Sequence, residues 1–356
     1  MHKDDQMTPN ERLGAFMTGE PMDRILAMPV ICSMSGSVCK MTHREKRSSA
    51  ENEAKAQVEA YKRFGNDLAV VEYGLHGVGV ALGGTVNDPE NQTPALTTHV
   101  LETLDDIQRL DMSRLELKND PAFQLHLDAG KIVKEQIGGE VPVGCLIAGP
   151  FTAATSCYPT EKLLRATRKE SEKVHELLRF VTEGLKLIYK EFIKEGMLIL
   201  LCDPLASGTL LHRKQYLEFA LPYTKELMQS IHDNKGMVCY HICGDTTNTV
   251  ADMATSGCDM ISVDNIVDLE HVKNTAGQKL PILGNVSPID YFIQGTTEMM
   301  EEAVKVCLRK AWDSPNGYIL ASGCDLSGNV PLENIETFMN AARKYGRYPL
   351  DPKNFQ

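Results

Sequence analysis

The sequence predicts an α/β fold in which eight parallel strands alternate with helices, a (β/α)8 TIM barrel. Three observations support this: short apolar runs recur along the chain, longer amphipathic segments separate them, and the runs are apolar at nearly every position. Strands that are apolar on both faces belong to a parallel sheet covered on both sides. Eight such strands fit a closed barrel better than an open sheet, and we expect one barrel domain over residues 1–356.

The first predicted element is a short helix ahead of the barrel. Thr8 can cap this helix, Pro9 suits its first position and Glu11 can close a capping box. We therefore expect an N-terminal helical extension at about residues 8–25, with the helix itself ending near Thr18.

The barrel strands are predicted to follow in order along the chain. They are Ala27–Cys32, Leu68–Glu72, Val141–Ile147, Leu198–Cys202, Met237–Ile242, Met260–Val263, Pro281–Leu283 and Tyr318–Ala321. Segments with helical periodicity lie between them, at roughly Ala50–Phe64, Glu161–Glu195, Lys214–Asn234, Thr246–Ser256, Glu298–Trp312 and Pro331–Lys344. Residues 74–138 show neither pattern clearly, so we expect an irregular insertion or an extra hairpin after strand 2.

Composition limits the class of partner. A net charge of −11 without a long run of Lys and Arg argues against a nucleic-acid surface. The first 17 residues lack the apolar stretch of a signal peptide, and no window approaches 18 uncharged apolar residues, so we predict a cytoplasmic protein without a membrane span. The ten cysteines are scattered and several lie inside strand runs, which indicates reduced thiols and a metal rather than a disulfide framework.

The active site of a (β/α)8 barrel lies at the C-terminal ends of its strands. His241 and Cys243 stand at the end of predicted strand 5, and in an extended chain residues two apart point to the same face, roughly 7 Å apart. Cys324 reaches this face from strand 8. Three protein ligands with one open position are typical of catalytic zinc, and nitrogen and sulfur ligands favour zinc over magnesium or calcium.

Three further polar residues at strand ends are candidate catalytic residues: Asp203, Asp264 and Asn285. Asp203 either caps the following helix or orients a ligand at the barrel mouth. Asp264 directly follows an apolar strand, where a carboxylate is costly unless it is paired or near a cation. It is a candidate for a fourth, exchangeable ligand or for a hydrogen-bond partner of His241.

Several motifs in this chain point to one family. The stretches HICGDTTN from His241, GCDMISVD from Gly257, LGNVSP from Leu283 and SGC ending at Cys324 occur together. With them the sequence resembles the uroporphyrinogen decarboxylase superfamily and, within it, more closely the methylcobamide:coenzyme M methyltransferases. The resemblance covers nearly the whole chain. It implies a (β/α)8 barrel that binds zinc through His241, Cys243 and Cys324.

The resemblance implies a zinc-dependent methyltransferase whose partner is a methylcobamide on a corrinoid carrier protein, with a thiol such as coenzyme M bound to zinc. The alternative direction takes a methyl group from a methoxyaromatic or methyl halide to a Co(I) corrinoid. Porphyrinogen decarboxylation is disfavoured, because Met28–Gly36 lacks the arginines with which the decarboxylases hold substrate carboxylates. A non-catalytic metal or corrinoid carrier, or a barrel whose cysteines only pack, is the remaining alternative.

A cobamide is too large to enter a barrel filled with side chains, so we expect it to dock across the mouth. The loops Phe151–Pro159, Ala206–Lys214 and Val286–Gly295 follow strands and carry small and aromatic residues suited to close approach. The candidate apolar contacts are Tyr158, Leu211, Tyr291 and Phe292, and of these we assign corrinoid binding to Tyr158 and Tyr291.

Overall fold

The computed structural model describes residues 2–356. Eight strands of this described part form one parallel sheet, numbered here in chain order: β1 (Ala27–Met28), β2 (Ala69–Gly74), β3 (Val143–Ala148), β4 (Leu198–Cys202), β5 (Val238–Ile242), β6 (Met260–Val263), β7 (Ile282–Val286) and β8 (Tyr318–Ser322). Hydrogen bonds join them in the order β1-β8-β7-β6-β5-β4-β3-β2. The free edges meet where the backbone N–H of Asp67 donates to the carbonyl of Ala27 at 3.0 Å. The predicted (β/α)8 barrel is confirmed.

Helices surround these strands. The α-helices of residues 2–356 are α1 (Pro9–Thr18), α2 (Ser35–Val38), α3 (His43–Lys46), α4 (Ala50–Phe64), α5 (Gly77–Leu82), α6 (Pro121–Ile137), α7 (Pro150–Cys157), α8 (Thr160–Lys169), α9 (Ser171–Lys194), α10 (Arg213–Gln215), α11 (Leu221–Asp233), α12 (Val250–Met253), α13 (Leu269–Asn274), α14 (Thr297–Ala311) and α15 (Leu332–Tyr345). Turns of π-helix lie at Tyr216–Ala220 and Pro288–Ile293. Shorter 3-10 segments lie at Leu104–Arg109, Met112–Leu115, Leu117–Asn119, Pro204–Ala206, Ala276–Gln278 and Pro352–Phe355. Among the described helices, none combines the length and the apolar composition that a membrane crossing requires.

The main core lies between the outer face of the barrel and the inner faces of the helices. Ile199 and Leu201 of β4 point outward and are fully buried. The longest helix, α9, buries one apolar stripe that includes Val174, Leu178 and Leu185. An apolar stripe on a helix that covers a parallel sheet is the arrangement expected for an α/β barrel.

The predicted N-terminal helix is confirmed. The Thr8 hydroxyl accepts from the Glu11 N–H at 3.2 Å, and the Glu11 carboxylate accepts from the Thr8 N–H at 2.7 Å, which completes the capping box. Gly19 ends the helix in the left-handed region, at φ 71°.

The first predicted strand, Ala27–Cys32, is longer than β1. Pro29 has no N–H to give to a neighbouring strand. Beyond it, the Val30 N–H donates to the Ser322 hydroxyl at 2.9 Å, and the Cys32 N–H donates to Asp325 at 3.1 Å. Because side chains replace a neighbouring backbone as acceptors, the sheet pairing stops at Met28.

The predicted irregular insertion after strand 2 is present. It contains α5, a two-stranded antiparallel ribbon formed by Thr85–Val86 and Leu96–Thr98, and several 3-10 segments. The insertion ends at α6, a long helix that we did not predict. Asp120 caps α6 by accepting from the N–H groups of Ala122 and Phe123 at 3.0 and 3.1 Å.

A buried ion cluster joins β1 to β2 at the N-terminal end of the barrel. Asp67 accepts from the Ala27 N–H at 2.7 Å and pairs with both Arg12 and Arg24. Arg24 also pairs with Asp5 at 2.9 Å. All four charged side chains are at most 3% exposed. The cluster therefore fixes the contact between the two strands that close the barrel.

Candidate metal centre

The structure brings His241, Cys243 and Cys324 together at the C-terminal mouth of the barrel. His241 lies near the end of β5, Cys243 directly follows β5, and Cys324 lies two residues beyond β8. The Cys243 sulfur is 3.2 Å from His241 Nε2 and 3.3 Å from the Cys324 sulfur. All three ligand atoms lie within 4.8 Å of one another.

This set of atoms fits a zinc ion. One imidazole nitrogen and two thiol sulfurs are the donors that zinc prefers, and three protein donors leave one coordination position open. Two sulfurs that bind one tetrahedral zinc ion at about 2.3 Å are about 3.8 Å apart, so the two cysteine sulfurs need to separate by only about half an ångström. Such a movement lies within ordinary rotamer adjustment.

Two glycines allow the ligands to approach. Gly244 directly follows Cys243 at φ 78°, a conformation that other residues rarely adopt. Gly323 precedes Cys324, and a Cβ atom at this position would lie 2.6 Å from the backbone nitrogen of Asn265. A side chain at Gly323 would therefore displace the β8 end from the β6 loop and move Cys324.

Ser262 orients the His241 ring. These two residues are paired in the register of β5 and β6, and the Ser262 hydroxyl lies 2.9 Å from His241 Nδ1. A hydrogen bond at Nδ1 directs Nε2 towards the cysteines, as commonly found for histidines that bind metals. No sequence motif singles out Ser262, although the alternation in Met260–Val263 places it on the same inward face as Met260.

The two cysteines share one negative charge. The hydrogen bond from the Cys243 thiol lowers the pKa of Cys324 to about 4, and His241 contributes in the same direction. The same contact raises the pKa of Cys243 far above its ordinary value. Since removal of one proton hinders removal of the other, a cation between the sulfurs is the natural means of holding both as thiolates.

Asp264 and Asn285 lie near the metal centre but contact the backbone. The Asp264 carboxylate accepts from the Gly244 N–H at 2.8 Å and from the Ile266 N–H at 3.2 Å. Asn285 donates to the carbonyls of Asp264 and Val267 at 2.9 and 2.7 Å. The partner of His241 is Ser262 rather than Asp264, and Asp264 lies outside the group of converging ligand atoms. Asp264 therefore positions the turn after Cys243, and Asn285 positions the loop that carries Asp264.

Asp203 is fully buried and caps a helix, although not the one that follows it. Its carboxylate accepts from the N–H and hydroxyl of Thr152 at 2.7 and 2.6 Å and from the Phe151 N–H at 3.3 Å. These donors belong to the start of α7, which follows β3. Burial raises the pKa of Asp203 to about 6. Asp203 therefore joins the ends of β3 and β4 and does not reach the cavity.

Tyr158 does not form the apolar surface that the sequence suggested, whereas Tyr291 keeps part of its surface exposed. Tyr158 is 7% exposed and packs in the core, and Tyr291 is partly buried against the same core. Leu211 and Phe292 are fully buried. Loop residues that look exposed in the sequence turn inward here because the helices after β3, β4 and β7 need apolar contacts.

Other apolar side chains are exposed in loops that follow the barrel strands. They are Leu210 after β4, Ile266 after β6 and Ile289 after β7, with exposures of 42%, 57% and 58%. We call these three residues the mouth rim. Two of them lie in loops that we predicted for docking, Ala206–Lys214 and Val286–Gly295.

A cavity of about 560 Å³ opens beside the metal centre and includes all three ligand residues in its wall. One side of the wall carries ionisable groups that follow β1, β2 and β8. Lys46, only 2% exposed, lies 3.7 Å from Glu72, and Glu53 accepts from His126 at 2.7 Å. Burial raises the pKa of Asp325 to about 7, and the negative charge of Glu72 acts in the same direction. Of these residues, only Glu72 lies at the end of a predicted strand, Leu68–Glu72.

In enzymes built on a (β/α)8 barrel the active site lies at the C-terminal ends of the strands, where this cavity opens. A family model described as uroporphyrinogen decarboxylase (URO-D) matches residues 8–345. The chain belongs to this family.

Similar proteins are known. The chain is 28% identical over 353 residues to "Methylcobamide:CoM methyltransferase MtbA" of Methanosarcina acetivorans, with 96% of this chain and 99% of the relative covered. It is 25% identical over 349 residues to "Methylcobamide:CoM methyltransferase MtaA" of Methanosarcina barkeri, with 96% and 99% covered. A solved "methyltransferase from Methanosarcina mazei" has the same fold, with a TM-score of 0.82 at 23% identity and 95% and 98% covered.

Proposed function

We propose that this protein is a zinc-dependent methyltransferase that moves a methyl group between a corrinoid on a carrier protein and a thiol. The convergence of His241, Cys243 and Cys324 within 4.8 Å at the barrel mouth carries the proposal. Likeness to methylcobamide:CoM methyltransferases over almost the full chain supports it.

The residues of this chain have separate tasks in the proposed reaction. His241, Cys243 and Cys324 would hold the zinc, which when bound acts as a Lewis acid that favours the thiolate form of a substrate thiol at neutral pH. Ser262 fixes the His241 ring, and Asp264 fixes the turn after Cys243. The cavity beside them gives the substrate access to the open position.

The methyl transfer is balanced without a further reactant. A bond forms between the substrate sulfur and the methyl carbon, the cobalt–carbon bond breaks, and its electron pair stays on cobalt, which becomes Co(I). The thiol proton passes to solvent. In the opposite direction, Co(I) takes the methyl group from a methoxyaromatic donor, and the oxygen leaves with its electron pair and accepts a proton.

The carrier protein would dock across the barrel mouth. The mouth rim residues Leu210, Ile266 and Ile289 expose apolar surface in three loops that follow barrel strands. Exposed apolar groups at a concave site are typical of contacts with partners, and a carrier that must leave after each transfer needs only a small interface.

The decisive experiment measures metal and methyl transfer in the same preparation. We expect about one zinc per chain, loss of the methyl group from methylcobalamin with a panel of thiols, and weaker or no methylation of cob(I)alamin by methoxyaromatics. Zinc well below about half an equivalent per chain from metal-replete cells, without transfer in either direction, would instead favour a barrel whose cysteines only pack. If the protein only transfers methyl groups from methoxyaromatics to cob(I)alamin, the direction of the reaction is the opposite of the one proposed.

A further inference from the structure

The inward faces of β4 and β5 are less buried than their outward faces. On β4, inward Leu200 is partly exposed and lines the cavity, whereas its outward neighbours Ile199 and Leu201 are fully buried. On β5, inward Cys239 is partly exposed and outward Tyr240 is fully buried. Inward side chains usually fill the interior of such a barrel. Their exposure here means that space remains inside it.

This space is apolar and lies next to the metal centre. We call it the lumen, the part of the cavity bounded by Leu68, Leu146, Leu200, Cys239 and Leu283. Leu283 and Leu146 are 6% and 7% exposed, so the lumen is narrow. Cys239 precedes His241 by two residues on the same face of β5. A molecule bound to the metal can therefore extend directly into the lumen.

Small inward residues keep the lumen open. Gly144 of β3 faces β4, and a Cβ atom at this position would lie 2.4 Å from a terminal carbon of Leu200. Ala321 of β8 also lines the cavity. Larger residues at these positions would fill the space that the other inward side chains leave.

The remainder of the cavity offers no free cation among the described residues. Lys46 lies 3.7 Å from Glu72, His126 lies 2.7 Å from Glu53, and Arg44 lies 2.9 Å from Asp88. Arg47 pairs with the same carboxylate, so Asp88 serves both arginines. Two more carboxyl groups, those of Asp120 and Asp325, line the cavity without an ion-pair partner.

Two cavity histidines do not change this balance. Burial lowers the pKa of His43 and of His76 below the ordinary value, so both rings are neutral near pH 7. An anionic group of a substrate would lose its hydration on entering the cavity. The cations there are already paired and further carboxyl groups are present, so no new interaction would replace that hydration. An apolar group in the lumen gains from leaving water.

We propose that the substrate bound at the metal centre is a neutral compound whose apolar body occupies the lumen, rather than a small anionic thiol. The inference rests on the proposed function, because the metal centre must bind the sulfur or oxygen of that compound. Coenzyme M, 2-mercaptoethanesulfonate, is then a poor substrate of this chain, in contrast to the named activity of the relatives.

The first test compares three probes by titration calorimetry on the zinc-loaded protein. We expect 2-phenylethanethiol to bind at least ten-fold more tightly than 2-mercaptoethanesulfonate. The third probe, 2-phenylethanol, has the apolar body without a thiol, and we expect measurable binding with and without zinc. Equal or tighter binding of 2-mercaptoethanesulfonate would overturn the proposal.

A filling substitution locates the binding site. Leu200→Phe narrows the lumen, so we expect a loss of ten-fold or more in the affinity for 2-phenylethanol and 2-phenylethanethiol, with zinc content unchanged. Leu187→Phe makes the same substitution at an exposed position of α9 and serves as the matched control. Undiminished affinity of Leu200→Phe for both aromatic probes would place their site outside the lumen and overturn the proposal.

Methyl transfer separates this proposal from the proposed function. If 2-phenylethanethiol demethylates methylcobalamin, the neutral substrate is the methyl acceptor. If methoxybenzene methylates cob(I)alamin, the neutral substrate is the methyl donor. If 2-phenylethanol binds in the lumen but the protein binds no zinc and transfers no methyl group with any compound, the proposed function is refuted. The apolar lumen would still be established. Transfer that proceeds faster with 2-mercaptoethanesulfonate than with 2-phenylethanethiol would refute the substrate class alone.

Discussion

Cys243 and Cys324 contribute to the metal centre without contributing much to the core, because both lie beyond the ends of their strands. We predict that Cys243→Ala or Cys324→Ala removes zinc and activity while the helical circular dichroism remains. His241→Ala should weaken zinc affinity more than it lowers the free energy of unfolding. Cys39→Ala changes a cysteine outside the cluster and should keep its zinc. Loss of helical signal in both cysteine variants would contradict this prediction.

Ser262 lets us test how far the orientation of His241 matters. Without the hydroxyl 2.9 Å from Nδ1, the ring loses its fixed orientation. Ser262→Ala should weaken zinc binding by about 10–100-fold, the usual effect of losing a hydrogen-bond partner of a metal ligand. Ser262→Thr keeps the hydroxyl and should retain most of the affinity. Competition with a chromogenic chelator measures the zinc affinity of both variants. Equal zinc affinities of Ser262→Ala and Ser262→Thr would show that the Ser262 hydroxyl does not support the metal centre.

Asp203 gives a prediction about pH. Its pKa rises from 3.8 to about 6 on folding because of burial, so between about pH 4 and pH 6 only the unfolded chain loses this proton. Ionisation of the unfolded chain therefore lowers the stability of the wild type as the pH rises, by roughly 3 kcal/mol at about 1.36 kcal/mol per pKa unit. Asp203→Asn lacks this effect, so its stability relative to wild type should improve across that range.

Urea unfolding at pH 4.5 and pH 7 checks the sign of this change. Asp233→Asn, an exposed aspartate at the end of α11, is the matched control and should change little. A stability difference between Asp203→Asn and wild type that stays constant with pH would mean that Asp203 is ionised in the folded protein throughout.

The ligand residues could be predicted because each stands at the end of an apolar run, where a barrel gathers its functional groups. The role of Ser262 and the presence of the lumen could not be predicted, since both depend on which inward side chains meet across the barrel. Tyr158 was misjudged for a related reason: an aromatic residue in a loop carries no sequence signal of whether it points into the core.

At the scale of elements, the strands were predictable because their runs are apolar at nearly every position. The helix α7 was not predicted, since all eight of its residues are buried and it lacks a polar face. The segment Glu161–Glu195 has one amphipathic pattern but forms two helices, α8 and α9, that meet at Glu170. The missed helix α6 had a usable signal, the Asp120-Pro121 pair at its start.

The Asp67 carboxylate links β1 to β2 through the Ala27 N–H and pairs with two buried arginines. Asp67→Asn would leave two buried arginines short of negative charge, and we expect a loss of about 3–5 kcal/mol in the free energy of unfolding. Zinc content of the folded protein should not change, because the cluster lies at the opposite end of the barrel. Asp128→Asn breaks an exposed pair with Lys131 and is the control. Equal stabilities of the two variants would exclude a closing role for Asp67.

At the scale of the whole molecule, the mouth rim predicts where the carrier protein binds. Ile289→Asp or Leu210→Asp should raise the KM for a corrinoid protein several-fold, because a charge replaces apolar contact surface. Zinc content and the rate with free methylcobalamin should remain the same. Met17→Asp places the same charge on exposed α1, ahead of the barrel, as the control. A larger effect of Met17→Asp would place the docking surface elsewhere.

The organisation of residues 1–356 as one domain also stays a prediction. A barrel whose first and last strands pair with each other cannot lose either end without opening, so we expect one cooperative unfolding transition. Two separate transitions that do not depend on zinc would contradict a single domain.

The buried ion cluster and the metal centre occupy opposite ends of the barrel, and this distance has an evolutionary consequence. A substitution among the mouth loops can alter what is recognised without weakening the closure of the barrel, so a lineage can explore new chemistry while its folded population is preserved. Directed evolution of this chain should accordingly start from randomised loops after the strands and leave Arg12, Arg24 and Asp67 unchanged.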